Sequence, residues 1–106
     1  MITIEDFAKI ELKIGKVLEA KRVEGSRKLI VMRTNTCEDR QIVAGIGNAY
    51  TPEELVGKRI VVVTNPRPVR LMGVESQGML LAVSDDEGRL SIITTDREIK
   101  EGSQVK

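Results

Sequence analysis

A short helix with complete start and stop signals, Tyr50–Gly57, constrains the fold of this 106-residue chain more than any other feature. Thr51 is placed to cap the helix, and Pro52 to occupy its first position. Glu54, three residues after the cap, is placed to bond back to it. The segments on both sides alternate or run in short apolar stretches, which is typical of strands. The sequence therefore predicts an all-β protein with one short helix in the middle of the chain, between two of its strands.

Six strands are expected from the periodicity and from the β-branched content. The first alternates clearly and is expected to bend or bulge at Gly15. The second and third form a hairpin across a polar turn. A short N-terminal helix, Thr3–Ala8, is also expected. The expected strands are Ile10–Arg22, Leu29–Arg33, Arg40–Ala44, Arg59–Thr64, Gly78–Val83 and Leu90–Thr94.

Three strands, a helix and two strands follow the order of a five-stranded Greek-key barrel of the OB type. An SH3-like barrel is the competing architecture, but it does not explain a capped helix between strands three and four. With 41% hydrophobic residues, a chain of this length supports one core. We therefore expect a single OB-fold domain over residues 1–106, with extensions at both ends.

The composition excludes several kinds of catalytic site. Histidine is absent and Cys37 is the only cysteine, which excludes zinc sites and Ser-His-Asp or Cys-His catalysis. Gly45–Gly47 lacks the third glycine and the strand-turn-helix setting of a dinucleotide site. The paired acids lie in helical or turn contexts typical of solvated surface. We expect a binding module that is not an enzyme and uses no metal and no cofactor.

The sequence carries no signal for secretion, for membrane insertion or for an internal disulfide. The N-terminus has neither the basic nor the apolar segment of a secretion signal, and no apolar run approaches the roughly 18 residues of a membrane span. The lone Cys37 cannot form an internal disulfide, which fits a reducing compartment. We expect a cytoplasmic protein with no membrane partner.

The net charge is only +1, but the charges are segregated. Residues 21–33 carry five basic side chains against one acid, and residues 58–70 carry four with none. Residues 85–101 carry six acids against three bases. The first two segments contain the loops that flank the ligand groove of an OB fold. This distribution predicts a basic groove that binds a polyanion.

Aromatic residues discriminate between kinds of nucleic acid. Phe7 and Tyr50 are the only two in the chain. Proteins that bind single strands stack bases on aromatic rings, and this chain lacks such a platform. The composition therefore favours contact with the backbone and shape of a folded RNA.

Six motifs together resemble the tRNA-binding domain family. That family includes the C-terminal domains of many methionyl-tRNA synthetases, free-standing beta-subunit forms, cytokine-related synthetase cofactors and CsaA export chaperones. The motifs are Asp6–Phe7, Lys13–Val17, Gly25–Leu29, Gln41–Ile46, Tyr50–Gly57 and Gly73–Met79.

The resemblance covers essentially the whole chain, which is most similar in size and start to the free-standing beta subunit. It implies an OB fold, a homodimer, and shape-directed tRNA binding that assists a catalytic methionyl-tRNA synthetase chain. The alternative within the family is a CsaA-like peptide-binding export chaperone, with an apolar groove lined by residues such as Met72, Val74 and Met79.

The resemblance also implies binding residues. Lys28 matches the lysine before the leucine of its motif, and Asn65 matches a polar residue at the end of strand four. Arg70 matches a basic position, while Ser76 and Met79 match residues of the tRNA-facing groove. Together with the cations of the charge pattern, the predicted tRNA-binding set is Arg27, Lys28, Asn65, Arg67, Arg70, Ser76 and Met79.

Three positions depart from the family pattern. Arg27 stands where an acid is usual, and this adds positive charge. Val69 and Asn48 stand where basic residues are common. We therefore expect a phosphate grip that is weaker, or shifted toward the loop between strands one and two.

Apolar residues in both terminal segments lie outside the five barrel strands. They either cap the barrel or pair with a second copy, and the resemblance favours the second. These residues are Ile2, Ile4, Phe7, Ile10, Leu90, Ile92, Ile93, Ile99 and Val105.

Overall fold

The computed structural model describes all of residues 1–106. Its helices are α1 (Ile4–Ala8) and α2 (Pro52–Leu55). Its strands are β1 (Leu12–Arg22), β2 (Ile30–Asn35), β3 (Asp39–Ala44), β4 (Arg59–Val63), β5 (Val69–Leu71), β6 (Val74–Ser76), β7 (Met79–Leu80), β8 (Ala82–Ser84) and β9 (Leu90–Ile92).

Five strands form a nearly closed antiparallel barrel in the order β3-β2-β1-β4-β7. The first half of β1 pairs with β4 and the second half with β2, so this long strand bends around the barrel. The expected irregularity lies slightly later than Gly15, because the register with β2 shifts between Val17 and Glu19. The predicted OB-type barrel with a helix between its third and fourth strands is confirmed.

Local capping signals form both helices. In α1 the Thr3 hydroxyl accepts a bond from the Asp6 N–H, and the Asp6 carboxylate accepts one from the Thr3 N–H. In α2 the Thr51 N–H donates to Glu54 Oε2 at 2.9 Å, and this bond lowers the pKa of Glu54. The capping patterns of the sequence predicted both helices correctly.

The core lies inside the barrel and extends to the hairpin of β8 and β9, which we call the C-terminal hairpin. Leu55 carries α2 into it, and the Tyr50 hydroxyl accepts a bond from the Ile92 N–H at 3.0 Å. The central buried residues are Val17, Ile30, Met32, Ile42, Ile46, Leu55, Ile60, Val62 and Ile92.

The predicted fifth strand, Gly78–Val83, is in fact two strands. The Leu81 N–H still donates to Val61 O at 3.0 Å, after which the chain leaves β4. Residues Ala82–Ser84 pair instead with β9, the shortened form of the predicted sixth strand. No strand is predicted between Thr64 and Gly78, yet β5 and β6 form a hairpin there, so this segment is not the single loop that its prolines and glycines indicate.

The C-terminal segment docks on its own barrel. The Ile14 N–H donates to Ser103 O, and the Val105 N–H to Leu12 O, both at 2.9 Å. The Arg59 guanidinium donates to Ile99 O at 2.6 Å. By contrast, α1 buries none of its residues. The capping alternative therefore holds for Leu90, Ile92 and Val105, while the apolar side chains of the N-terminal segment stay exposed.

With five and four residues, α1 and α2 are both too short to span a membrane.

Candidate nucleic-acid interface

The gap between β3 and β7 is closed by residues 75–78, which bond along the free edge of β3. We call this contact the seam. The Gln77 N–H donates to Gln41 O at 2.7 Å, and the Gln41 N–H donates to Gln77 Oε1 at 2.9 Å. The Val43 N–H donates to Ser76 Oγ at 2.9 Å, and that hydroxyl donates to Gly78 O. The seam fixes where the β5–β6 hairpin leaves the barrel.

A partly buried arginine, Arg40, fixes the end of the seam. Arg40 Nη1 donates to the carbonyls of Thr64 and Gln77, and its Nε donates to Thr36 Oγ1, each at 3.1 Å. Only 16% of its side chain is exposed. The sequence did not single out Arg40, because its three partners lie in separate segments.

The β5–β6 hairpin stands beside the loop of residues 23–29. Its turn has positive φ at Met72 (49°) and Gly73 (80°), the geometry of a type I′ turn. Met72 Cε lies 3.5 Å from where a Cβ on Gly25 would be, so the tip of the hairpin faces that loop. Val74 packs on Val23 and its neighbours beneath. The two loops predicted to flank the OB groove are therefore adjacent.

The backbone of the 23–29 loop is held in place by hydrogen bonds from Arg22 and Gly47. Arg22 Nη1 donates to Arg27 O at 2.6 Å and to Gly47 O at 2.9 Å, and the Gly47 N–H donates to Lys28 O at 2.7 Å. A side chain at Gly47 would collide with the carbonyls of Arg27 and Lys28, so only glycine fits there. The sequence did not indicate that Arg22 and Gly47 anchor this loop. The only indication was the pair Gly45 and Gly47, which follows the third predicted strand.

The cations in and next to these two loops form no ion pairs. Arg27 and Lys28 lie in residues 23–29, Arg70 lies in β5, and Arg67 lies between β4 and β5. Six of the 17 lysines and arginines form ion pairs, namely Lys9, Lys13, Arg33, Arg40, Arg59 and Arg89. Arg27, Lys28, Arg67 and Arg70 are exposed and have no carboxylate within 4.0 Å. We call these four residues the cationic rim. Their charge is free to act on a ligand.

Two of the predicted binding residues serve the fold. Ser76 is 2% exposed, and its hydroxyl accepts from the Val43 N–H and donates to Gly78 O within the seam, so it holds the hairpin in place. Asn65 is exposed, but its amide accepts a bond from the Glu11 N–H and donates to Lys9 O. Asn65 thus ties the N-terminal segment to the end of β4. Beside it, the Thr64 hydroxyl donates to Glu11 at 2.6 Å and lowers the pKa of that carboxyl.

Met79 is 55% exposed and lines an open groove of about 380 Å³, which we call the seam groove. No charged residue lines it. Its walls come from the end of β3, from β5 and from the C-terminal hairpin, and include Val43, Gly45, Val69, Leu71 and Leu90. The aliphatic stem of Lys28 lies across Gly45, with Cε 3.0 Å from where a Cβ would be. The groove and one residue of the cationic rim are therefore contiguous.

The barrel, the helix α2 between β3 and β4, and the loops at the seam define a protein of the OB-like fold class. Residues 12–104 match the family model described as "Putative tRNA binding domain". The chain belongs to the tRNA-binding domain family.

Individual relatives agree with this membership. The chain is 53% identical over 105 residues to the methionine–tRNA ligase of Caldanaerobacter subterraneus, covering 98% of this chain but 16% of the ligase. The crystal structure of the MetRS related protein from Pyrococcus horikoshii aligns over 100% of this chain and 98% of its own, with 34% identity and a TM-score of 0.94. The chaperone CsaA of Bacillus anthracis aligns over 100% and 99%, with 28% identity and a TM-score of 0.90.

Proposed function

We propose that this chain binds tRNA by backbone and shape and thereby raises the tRNA affinity of a methionyl-tRNA synthetase. The observation that carries the proposal is the cationic rim of this tRNA-binding-family barrel. Its four exposed cations form no ion pairs and lie in the 23–29 loop and in the segment that leads from β4 through β5. Phosphate contacts of this kind position a protein on nucleic acid without reading its sequence.

The lack of aromatic side chains at the rim supports recognition of shape. Tyr50 is committed to the bond with Ile92, and Phe7 lies in α1. Neither supplies a stacking platform for a run of bases. The module is therefore expected to bind many tRNAs alike, in the cytoplasm, and to leave the aminoacylation chemistry to its synthetase partner.

A second candidate is peptide binding, which the likeness to a CsaA chaperone and the apolar seam groove favour. Of the three residues expected to line such a groove, Met79 lies in the seam groove and Met72 is exposed at the hairpin tip. Val74 instead packs beneath the hairpin. These three residues thus do not form one continuous apolar surface.

A competition experiment separates the two functions. Labelled total tRNA is bound to the protein, and either unlabelled tRNA or a chemically unfolded polypeptide is added while complexes are followed by gel shift. Unlabelled tRNA is expected to displace the label, and the polypeptide is not. Binding of the polypeptide without binding of tRNA would replace tRNA binding by the chaperone function.

We also propose a homodimer that uses the N-terminal segment. Ile2, Ile4, Phe7 and Ile10 are between 36% and 81% exposed and lie on one short segment. An exposed apolar cluster of this kind is typical of an interface between subunits. Two copies would place two cationic rims on one particle.

Light scattering at micromolar concentration is expected to give about twice the 11.8 kDa monomer mass. The double variant Ile4→Asp/Phe7→Asp should be monomeric, whereas Met72→Asp, at an exposed apolar residue of the hairpin, should remain dimeric. Truncation of the C-terminal segment is a poorer test, because Ile92 belongs to the core. A wild-type mass of one monomer would exclude the dimer.

A further inference from the structure

The seam groove has the character of a ligand site that backbone contacts do not use. It is open, apolar and uncharged, and it lies beside the seam, where β3 is joined to residues 75–78 by side-chain bonds and one backbone bond and not by a strand ladder. A volume of about 380 Å³ is at the lower end of the range for small-ligand pockets. It has room for one small group.

The direction of the side chains separates the groove from the outer surface of the hairpin. Val69 and Leu71 line the groove, and Arg70 between them does not. Successive side chains of a strand point to opposite faces, so Arg70 points away from the groove. Apolar contact and phosphate contact are thus presented on the two faces of one strand.

The cation at the groove is Lys28. Its stem crosses Gly45, which is part of the groove wall, and no carboxylate pairs with it. A ligand with an apolar planar part and a neighbouring negative charge complements this arrangement. A nucleotide has both.

The seam argues against an extended peptide in the same place. Peptides that add to a sheet edge bond to its free backbone groups. Here the N–H groups of Gln41 and Val43, and the carbonyl of Gln41, are already bonded to Ser76 and Gln77. The β3 edge beside the groove therefore offers a peptide no backbone partners at these residues.

We propose that the seam groove takes one unstacked base of the bound tRNA, held by Met79, Val69 and Leu71, with a neighbouring phosphate on Lys28. This inference rests on the proposed tRNA binding and adds a base contact to it. The Ser76 hydroxyl, the one side-chain polar group in the wall, is bonded within the seam, so the site holds a base without selecting its identity.

The methionine methyl groups report on this directly. The protein has four methionines, of which Met32 is fully buried and Met1 is at the terminus. With only two aromatic residues in the chain, an aromatic base against a methyl group gives a ring-current shift on a nearly empty background. In protein labelled with ¹³C at the methionine methyl, total tRNA is expected to move Met79 strongly upfield, and inorganic phosphate is not.

The tRNA affinity of methionine variants gives a second test of the base site. Met79→Gln is expected to weaken tRNA binding about tenfold, the effect of losing one base contact, with an unchanged melting curve. Met72→Gln makes the same change outside the groove, at a similarly exposed site (59% against 55%), and should change affinity far less. Bound tRNA that leaves the Met79 methyl unmoved, or a Met79→Gln variant of wild-type affinity, would overturn the base site while tRNA binding stands. Absence of tRNA binding altogether would overturn both.

Discussion

Reversing two charges of the cationic rim, Lys28→Glu with Arg70→Glu, is expected to lower tRNA affinity about 100-fold. Each residue contributes a charge-assisted contact of about 1.5 kcal/mol, or about tenfold, and the two lie on different loops. Both side chains are exposed and outside any ion pair, and the exchange removes only the exposed bond from Arg70 Nη1 to Gly73 O, so the melting temperature should fall only slightly. Equilibrium binding at fixed salt and a thermal melt measure the two quantities.

A matched control separates the site from the total charge. Arg97→Glu with Lys100→Glu makes the same change in net charge at two exposed cations that also lack ion pairs, within the acidic C-terminal segment. We expect this variant to retain most of the affinity. Equal losses in the two double variants would show that net charge, and not the rim, governs binding.

Replacing Arg40 by methionine is expected to cost about 3 kcal/mol of unfolding free energy and lower the melting temperature by about 15 °C. The change keeps an apolar stem but leaves the carbonyls of Thr64 and Gln77 without this donor in a half-buried place. Denaturant and thermal unfolding measure the loss.

The control for Arg40 is Arg89→Met. Arg89 also makes close polar contacts, with Asp85 at 2.6 Å and Glu87 at 3.4 Å, but its side chain is 75% exposed. Exposed ion pairs contribute little, so we expect a small change there. If Arg40→Met unfolds at the wild-type temperature, the seam does not depend on the arginine.

Local signals explain what the sequence could predict. The cap of α2 requires only Thr51 and Glu54, three residues apart, and the strand alternation is equally local. Because strand order and helix position identify the OB topology, the two basic loops could be placed together before any coordinates. The basic segments of the sequence contain few acids, and this agrees with the absence of ion pairs at the rim.

Contacts between distant residues explain what it could not. The bond from the Val43 N–H to Ser76 Oγ joins residues 33 apart, so the sequence could not indicate that Ser76 takes part in the seam. Arg40 reaches Gln77 across 37 residues. The β5–β6 hairpin was missed because Met72 holds a positive φ that is usually given to Asn or Gly. No motif records these side-chain directions.

The salt dependence of tRNA binding tests the role of the cationic rim most directly. For the four rim residues acting on phosphates, a plot of log affinity against log salt concentration is expected to have a slope of about −3. The Lys28→Glu/Arg70→Glu variant should have a slope of about half that value. A wild-type slope near zero would contradict an electrostatic grip on the tRNA backbone.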